Sequence, residues 1–409
     1  MLLLFGILIF VTGIASHEHD HEHHHQLWNN TYQDLLRKDL ISDYDRFSRP
    51  ANLQNVTDLN ATLTIYQIDV NEKKSLVTMF GRILFTWTDD KLKWSPDAYG
   101  GLDHIHLAAH EVWKPDITLY NSAMGQSLDV FGPTNTIVYP AGKVLWVPPT
   151  KFLVFCDLDF TNWPFDTQKC YVKIGSWTYS AKVLNIQIES EAKIEKLMTN
   201  PVWEIVEVKS IRHETFYPCC PEPYADLQYN ITAKRHSMMQ KNIAFVPITF
   251  VIVTTLVSFL FPSTAGEKIL VNSINAVILV LLMIYFSFML PISTTNIPLI
   301  VQHHYCTLYL ICIALVIGAV VLKVSRKKNG NVPKCFKCVI DSFYAKILGI
   351  SSPRSRKTSE QELEDGKSDK NLLSSEENEL YWPLVGTLVD RTAFVAYFIV
   401  FVVMMSKHF

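Results

Sequence analysis

The chain is 409 residues long, has a formal net charge of −2 and is 49% hydrophobic. That length makes two or more domains the expectation, and a near-neutral balance without a basic stripe argues against nucleic acid as a partner. The hydrophobic residues are unevenly spread: the first 240 residues read as soluble and most of the remainder as membrane.

In chain order, residues 1–15, MLLLFGILIFVTGIA, read as a secretory signal peptide: a short apolar run ending in the small residues Gly13 and Ala15, although no basic residue precedes it. Residues 16–26 hold the His-rich HEHDHEHHHQ, read as a solvated leader rather than a metal tract because nothing downstream pairs with it. No metal or cofactor is expected. Residues 27–44 suggest a short helix with Leu35, Leu36 and Leu40 on one side. From Ala61 the period changes to two. In SLVTMFGRILFTW, Val77, Met79, Ile83, Phe85 and Trp87 alternate with Thr78, Arg82 and Thr86, the pattern of a half-buried strand. Strand-like runs recur at NTIVYP, VLWVPP, KFLVFCDLDF, CYVKIGSWTY and WEIVEVKSI, separated by turn residues, the spacing of an antiparallel sandwich over 27–240. Four N-x-T sequons, at Asn29, Asn55, Asn60 and Asn230, all precede the first apolar span and fit glycosylation outside the cell.

A secreted domain permits disulfides, and Cys156, Cys170, Cys219 and Cys220 lie in it. Cys156 and Cys170 enclose thirteen residues; a bond there closes a loop worth about 3 kcal/mol. The tip of that loop, Trp163-Pro164-Phe165-Asp166, is apolar and suits packing against a membrane face. In FYPCCPEPY, Cys219 and Cys220 are adjacent. Neighbouring Cα atoms lie about 3.8 Å apart, shorter than the usual disulfide span, so the residues leave two readings open: a pair of small packed thiols, or a bonded pair.

Beyond residue 240 four apolar runs follow: Ile243 to Phe261, Ile269 to Leu290, Leu299 to Leu322, and Thr392 to Met405. The first three reach the roughly 20 residues that cross a bilayer; the fourth needs its flanks, giving 384–409. Lys323, Arg326, Lys327 and Lys328 follow the third run and place that end in the cytoplasm, which sets residues 27–240 outside. Residues 323–383 then form a cytoplasmic loop, read as a disordered tether followed by an amphipathic helix.

The thirteen-residue Cys loop, the W-x-P-D run from Trp113 to Asp116 and the four spans together resemble the Cys-loop pentameric ligand-gated ion channels, and the adjacent cysteines resemble those of nicotinic acetylcholine receptor alpha-type subunits. The resemblance runs from about residue 27 to the end, apart from the cytoplasmic tether. It implies an extracellular all-β sandwich on a transmembrane four-helix bundle, with identical or related subunits forming a pentamer around a pore. It also implies a small cationic ligand bound between subunits, permeant cations, and a plasma-membrane location at a synapse. On the principal face it implies ligand contacts from Tyr120, Trp177, Tyr217, Tyr224 and a bonded Cys219–Cys220 pair. Aromatic faces attract a quaternary ammonium at about 0.5 to 2 kcal/mol each. On the complementary face the chain departs from the pattern. Arg82 stands where many nicotinic subunits have Trp, with Leu145 and Val147 beside it; a guanidinium repels a cationic ligand. For coupling to the membrane the resemblance implies Glu72, Phe165, Asp166, Arg235 and Pro298, with Glu72 and Arg235 as a buried pair.

In the second span, Glu267 precedes Lys268 without the Pro-Ala insertion of anion-selective relatives, and five copies of Glu267 would attract cations. The lining face by spacings of four and three is Leu270, Ile274, Val277, Leu281, Ile284 and Phe288, all apolar. Such a lining tends to dewet. Asn272, Ser273 and Asn275 lie off that face; the amides either bond neighbouring helices or reach the lumen after a rotation of the helix. The function expected is therefore a ligand-gated cation channel subunit opened by acetylcholine or a similar ligand. The alternative is a ligand-binding or accessory subunit that does not conduct as a homopentamer. An enzyme is not expected: no nucleophile, acid and base set appears. Cys335-x-x-Cys338, on the cytoplasmic side, reads as lipidation sites or plain small residues.

Overall fold

The computed structural model describes residues 30–50, 55–124, 130–195, 200–291, 296–327, 331–350 and 370–406. The signal-peptide and His-rich readings, and Asn29, lie outside these residues.

A short helix, α1 (Tyr32–Ile41), opens the described chain, one turn inside each end of the expected range. Thr31 caps it: its hydroxyl accepts from the Asp34 amide while the Asp34 carboxylate accepts from the Thr31 amide, a reciprocal box that satisfies the first free N–H groups. Leu36 and Leu40 are buried, whereas Leu35, expected on the same side, is exposed.

Among the described residues twelve strands follow: β1 (Thr57–Asn71), β2 (Leu76–Lys93), β3 (Ile105–Leu107), β4 (Ile117–Leu119), β5 (Thr136–Val138), β6 (Ala141–Trp146), β7 (Pro149–Phe155), β8 (Thr167–Ser176), β9 (Leu184–Ile188), β10 (Lys193–Ile194), β11 (Trp203–Thr215) and β12 (Tyr224–Arg235). They form an eight-stranded sheet running β10-β1-β2-β6-β5-β3, with β7 also on β2 and β9 also on β1, and a four-stranded sheet β11-β12-β8-β4. One core joins both sheets. The alternation in β2 is as expected: Val77, Met79, Ile83, Phe85 and Trp87 are buried. Thr86 differs. It lies on the opposite face yet is buried, between Asn60 and Leu145 of the neighbouring strands. Long β2 pairs with β7 along its first half and β6 along its second, because Pro148 and Pro149 interrupt the partner strand, and proline cannot donate to a ladder. Phe85 holds the middle, stacked on Trp146 at 5.7 Å and edge-on to Phe131 at 5.4 Å.

Among the described residues, four helices are long and apolar enough to cross a membrane: α2 (Met238–Ser258), α3 (Glu267–Met289), α4 (Leu299–Ser325) and the segment Leu380–Ser406. Between α4 and the last span, the Ser-rich stretch expected as a tether lies at 351–369, outside the described residues. Two short helices, α5 (Lys334–Ile340) and α6 (Phe343–Ile347), precede it, and the final helix α7 (Lys370–Ser406) runs without a break into the fourth span. Val332, Ile340, Ala345 and Ile350 bury themselves against Tyr381, Trp382, Val385 and Leu388, a small core that residue-by-residue polarity does not announce.

Two phenols tie the sandwich to pH. Burial pushes the Tyr44 phenol well above its ordinary range, helped by its 2.6 Å hydrogen bond to the Asp89 carboxylate, and burial does the same to Tyr229. A raised tyrosine keeps, in the folded chain, a proton that the unfolded chain releases above about pH 10. Stability from these groups is therefore present below that pH and lost as pH rises through it. The thermal midpoint of the detergent-solubilised chain should stay level from about pH 7 to 9 and fall above about 10; a midpoint that climbs there contradicts the assignment.

Candidate functional site

Tyr120, Ser176, Trp177, Tyr217, Cys219, Cys220 and Tyr224 line one cavity of about 370 Å³ on the flank of the four-stranded sheet. All six residues expected on the principal face are therefore brought together. Tyr120 follows β4, Trp177 follows β8, and the other four come from the β11–β12 hairpin. The rings stand edge to face in two pairs: Tyr120 on Trp177 at 6.2 Å and Tyr217 on Tyr224 at 5.9 Å. Cys219 and Cys220 form a disulfide at the hairpin tip, where the Cys220 amide donates to the Tyr217 carbonyl at 3.0 Å. The bonded reading of the pair is the one the structure contains.

The surrounding backbone explains how these rings hold their places. Asp116, the last residue of the W-x-P-D run, braces the Trp177 loop. Its carboxylate accepts from Ser176 Oγ at 2.5 Å, from the Thr178 amide at 2.7 Å and from Thr178 Oγ1 at 2.6 Å, while its carbonyl accepts from the Trp177 amide. The indole itself makes no such bond and stays 62% exposed, its face open at the mouth of the cavity. Tyr120 lies deeper. Its hydroxyl donates to the Ser176 carbonyl at 2.6 Å, and burial, with the neighbouring Tyr217, holds its phenol far above the usual range, so the ring is neutral in use. Gly175 permits this approach, since a Cβ there would sit 2.5 Å from the Tyr120 hydroxyl. The flap is tied down on its far side by Glu222, which accepts from Ser180 and pairs with Lys182.

Sequence reasoning missed Lys173 and Asp226. Lys173 Nζ reaches the buried Asp226 carboxylate at 3.1 Å and lies 5.9 Å from the Tyr120 ring. Asp226 stands two residues after Tyr224 on the same strand face, and that period of two was the available signal. The carboxylate offsets the positive charge that Lys173 would otherwise place beside the rings.

On the opposite flank Arg82, Leu145 and Val147 lie on or just after β2 and β6. Arg82 is half exposed, paired with Glu195 at 2.8 Å and set 5.9 Å from the Tyr66 ring; Leu145 and Val147 are half-buried. These residues do not join the aromatic cavity within one chain.

At the membrane end, Arg235 is 4% exposed. The expected pair with Glu72 is present at 2.5 Å, but Asp166 is the fuller partner, accepting from Nε at 2.6 Å and Nη2 at 3.0 Å. Trp203 covers the guanidinium face at 4.3 Å. Breaking one side of such a buried pair costs about 3 to 5 kcal/mol. Cys156 and Cys170 are bonded, and the loop they close rests on the membrane helices: Trp163 on Phe286 of α3 at 5.8 Å, Phe165 on Phe245 of α2 at 6.0 Å. Pro298 caps α4, and the next residue, Leu299, donates its amide to the Thr161 carbonyl at 3.0 Å.

Along α3, Glu267, Leu270, Ile274, Val277, Leu281, Ile284 and Phe288 are all exposed on the single chain. The asparagines turn the other way. Asn272 donates to Ser258 Oγ at 2.9 Å, and Asn275 donates to Thr255 Oγ1 at 3.1 Å while accepting from Thr254, so both amides bond α2. Asn55 is exposed just ahead of β1, whereas Asn60 and Asn230 are half-buried within strands flanked on both sides.

The model of the neurotransmitter-gated ion-channel ligand binding domain matches residues 33–237. Among curated proteins, the chain is 31% identical to "Acetylcholine receptor subunit alpha-like" of Manduca sexta, covering 78% of this chain and 62% of that one. It is 31% identical to "Neuronal acetylcholine receptor subunit alpha-6" of Gallus gallus, covering 77% and 64%. Identity is 34% to "Acetylcholine receptor subunit alpha-type acr-16" of Caenorhabditis elegans, over 70% and 58%. The chain therefore spans less than two thirds of the length of these relatives.

Gly175→Ala tests the site directly. The added methyl has no room under the Tyr120 hydroxyl, so the ring must move and equilibrium binding of a quaternary ammonium should weaken by about tenfold, the loss of one cation–π contact. Unchanged binding would remove Tyr120 from the ligand's path.

Proposed function

The chain belongs to the neurotransmitter-gated ion-channel family, and on that premise we propose that it is a subunit of a cation channel opened by acetylcholine or a chemically similar ammonium ligand. The family is one of receptor channels, not enzymes, and the chain is a multi-pass plasma-membrane protein with its sandwich outside. The observation that carries the proposal is the convergence of four aromatic rings and a vicinal disulfide on a single cavity. Rings offer a negative face to a cation without requiring it to donate hydrogen bonds, which suits a quaternary ammonium better than a primary amine. A ligand seated there and touching a second subunit favours whichever arrangement closes the flap, and shifts the population toward it. The family supports assembly with identical or related subunits, the pentamer being part of this reading.

Five copies of exposed Glu267 at the cytoplasmic mouth favour cations. One observation favours a second reading for the homomer: the residues of α3 at lining spacing, Leu270, Ile274, Val277, Leu281, Ile284 and Phe288, are exposed and apolar, and the nearby amides are spent on α2. Water leaves so apolar a constriction, and ions cannot follow. Conduction then requires partner subunits that contribute polar side chains. Arg82 agrees with that division, since a guanidinium on the complementary flank suits a chain that lends its principal face to a different neighbour.

Trp177→Ala separates receptor from bystander. Radioligand binding of a quaternary ammonium should fall by more than tenfold, and any agonist-evoked current of a co-expressed channel should move to higher concentration by a similar factor. Binding that survives intact would sink the aromatic-box reading.

Expressed alone, the chain should reach the surface and bind ligand with little or no current. Leu270→Thr, which places a hydroxyl low in the lining, should raise current in the same cells. Large currents from the unmodified chain alone would refute the dewetting argument.

A further inference from the structure

We propose that Cys335 and Cys338 are S-acylated, and that the attached chains fasten α5 and α6 to the cytoplasmic leaflet. The two helices follow α4, whose last turn and sequel carry Lys323, Arg326 and Lys327. Both thiols are free and exposed, and a spacing of three places them on one side of α5.

Their surroundings are those of a membrane boundary. Phe336 and Val339 of α5 and Phe343 and Ile347 of α6 are exposed, Phe343 by 77% and Ile347 by 68%. Facing water, so dense a patch is costly and prone to association. It is not a free end: α5 and α6 are pinned on α7 by their small buried core. The Tyr344 hydroxyl lies 3.4 Å from Thr392 Oγ1, a residue inside the span Leu380–Ser406. The patch therefore continues the lipid-facing flank of the fourth span, which commits its occupant to the bilayer. Charge agrees. Lys334, Lys337 and Lys346 on the two helices outnumber Asp341, which lies between them, Lys337 and Lys327 lie over the Tyr381 and Trp382 rings respectively, and the inner leaflet is anionic.

Cysteines on an apolar helix beside a membrane span are substrates for reversible acylation. The step is a thioester exchange. The sulfur of either cysteine attacks the carbonyl carbon of a long-chain acyl-thioester donor. The bond from that carbon to the donor's sulfur breaks, a new thioester forms on the protein, and the donor leaves as a thiol with the proton the cysteine gives up. No oxidant or reductant is needed. A single chain holds a segment only marginally and two hold it firmly, which accounts for a pair of thiols at one turn's spacing. Cys306 and Cys312, also free, lie within α4 and away from this boundary, and serve as controls.

The test is metabolic labelling of the full chain in animal cells with alkyne-tagged palmitic acid, comparing equal amounts of surface-biotinylated protein. The expected result is a label that neutral hydroxylamine removes. It is lost in the Cys335→Ser/Cys338→Ser double variant, partly kept in each single variant, and unchanged in Cys306→Ser/Cys312→Ser. Absence of label on the surface-expressed chain, or full label on the double variant, overturns the proposal. The readout needs neither ligand nor current, so it stands or falls apart from the channel reading.

Discussion

One buried guanidinium sets the frame. Arg235 ends β12, and three residues later α2 begins. Taking that charge out of water is expensive, and the expense is offset only by geometry: two bonds to Asp166, one to Glu72 and the face of Trp203. These partners come from the tip of the Cys loop, the β1–β2 turn and the start of β11. The ion cluster therefore decides where the sandwich stops and at what point the first membrane helix leaves it. Gln168, which donates to the same Asp166 oxygen at 2.6 Å, leaves the carboxylate little freedom to turn away.

The same strand reaches the ligand cavity. Tyr224 stands at one end of β12 and Arg235 at the other, and between them the strand is bonded to β11 on one side and β8 on the other. A displacement of the disulfide flap therefore has a direct mechanical route to the base of α2. On β8 the register places Gly175 opposite Asp226, which brings the missing side chain under Tyr120 and the carboxylate within reach of Lys173 into one neighbourhood. The Cys loop makes the second connection, since its apolar tip rests on α2 and α3 while its Asp166 holds Arg235. The disulfide flap is thus joined to the ion cluster by one continuous paired strand, and the ion cluster to the membrane helices by the packed tip of the Cys loop.

Within the membrane, α3 spends its polarity inward. Lys268 is buried and bonded to Asp390 of α7 at 2.6 Å, and the two asparagines bond α2. Such bonds hold helices together where lipid offers no hydrophobic drive. Their consequence is an outward face with Glu267 and Ser273 at its start, large apolar side chains over most of its length and Ser287 near its end.

Much of this was legible in the residues. Period-two alternation gave the strands, apolar length gave the spans, and the vicinal cysteines with their flanking tyrosines marked the flap, because each is a local property that the chain carries wherever it goes. Trp163 and Phe165 were likewise readable as an apolar tip. What sequence could not supply was pairing across distance. Nothing near Arg235 in the chain says that Asp166, sixty-nine residues earlier, is its fuller partner, accepting two bonds to the one that Glu72 accepts. Nothing near Lys173 points to Asp226, and no local pattern says that Asn272 and Asn275 face α2 instead of the lumen. The helices α5 and α6 do not stand out in the sequence because their apolar residues are too few to bury alone; they pack against Tyr381 and Trp382. Local preference therefore determined which segments are strand, span or flap. The tertiary structure decided which charges and amides meet, since burial makes an unpaired polar group costly and only the folded chain reveals where its partner stands.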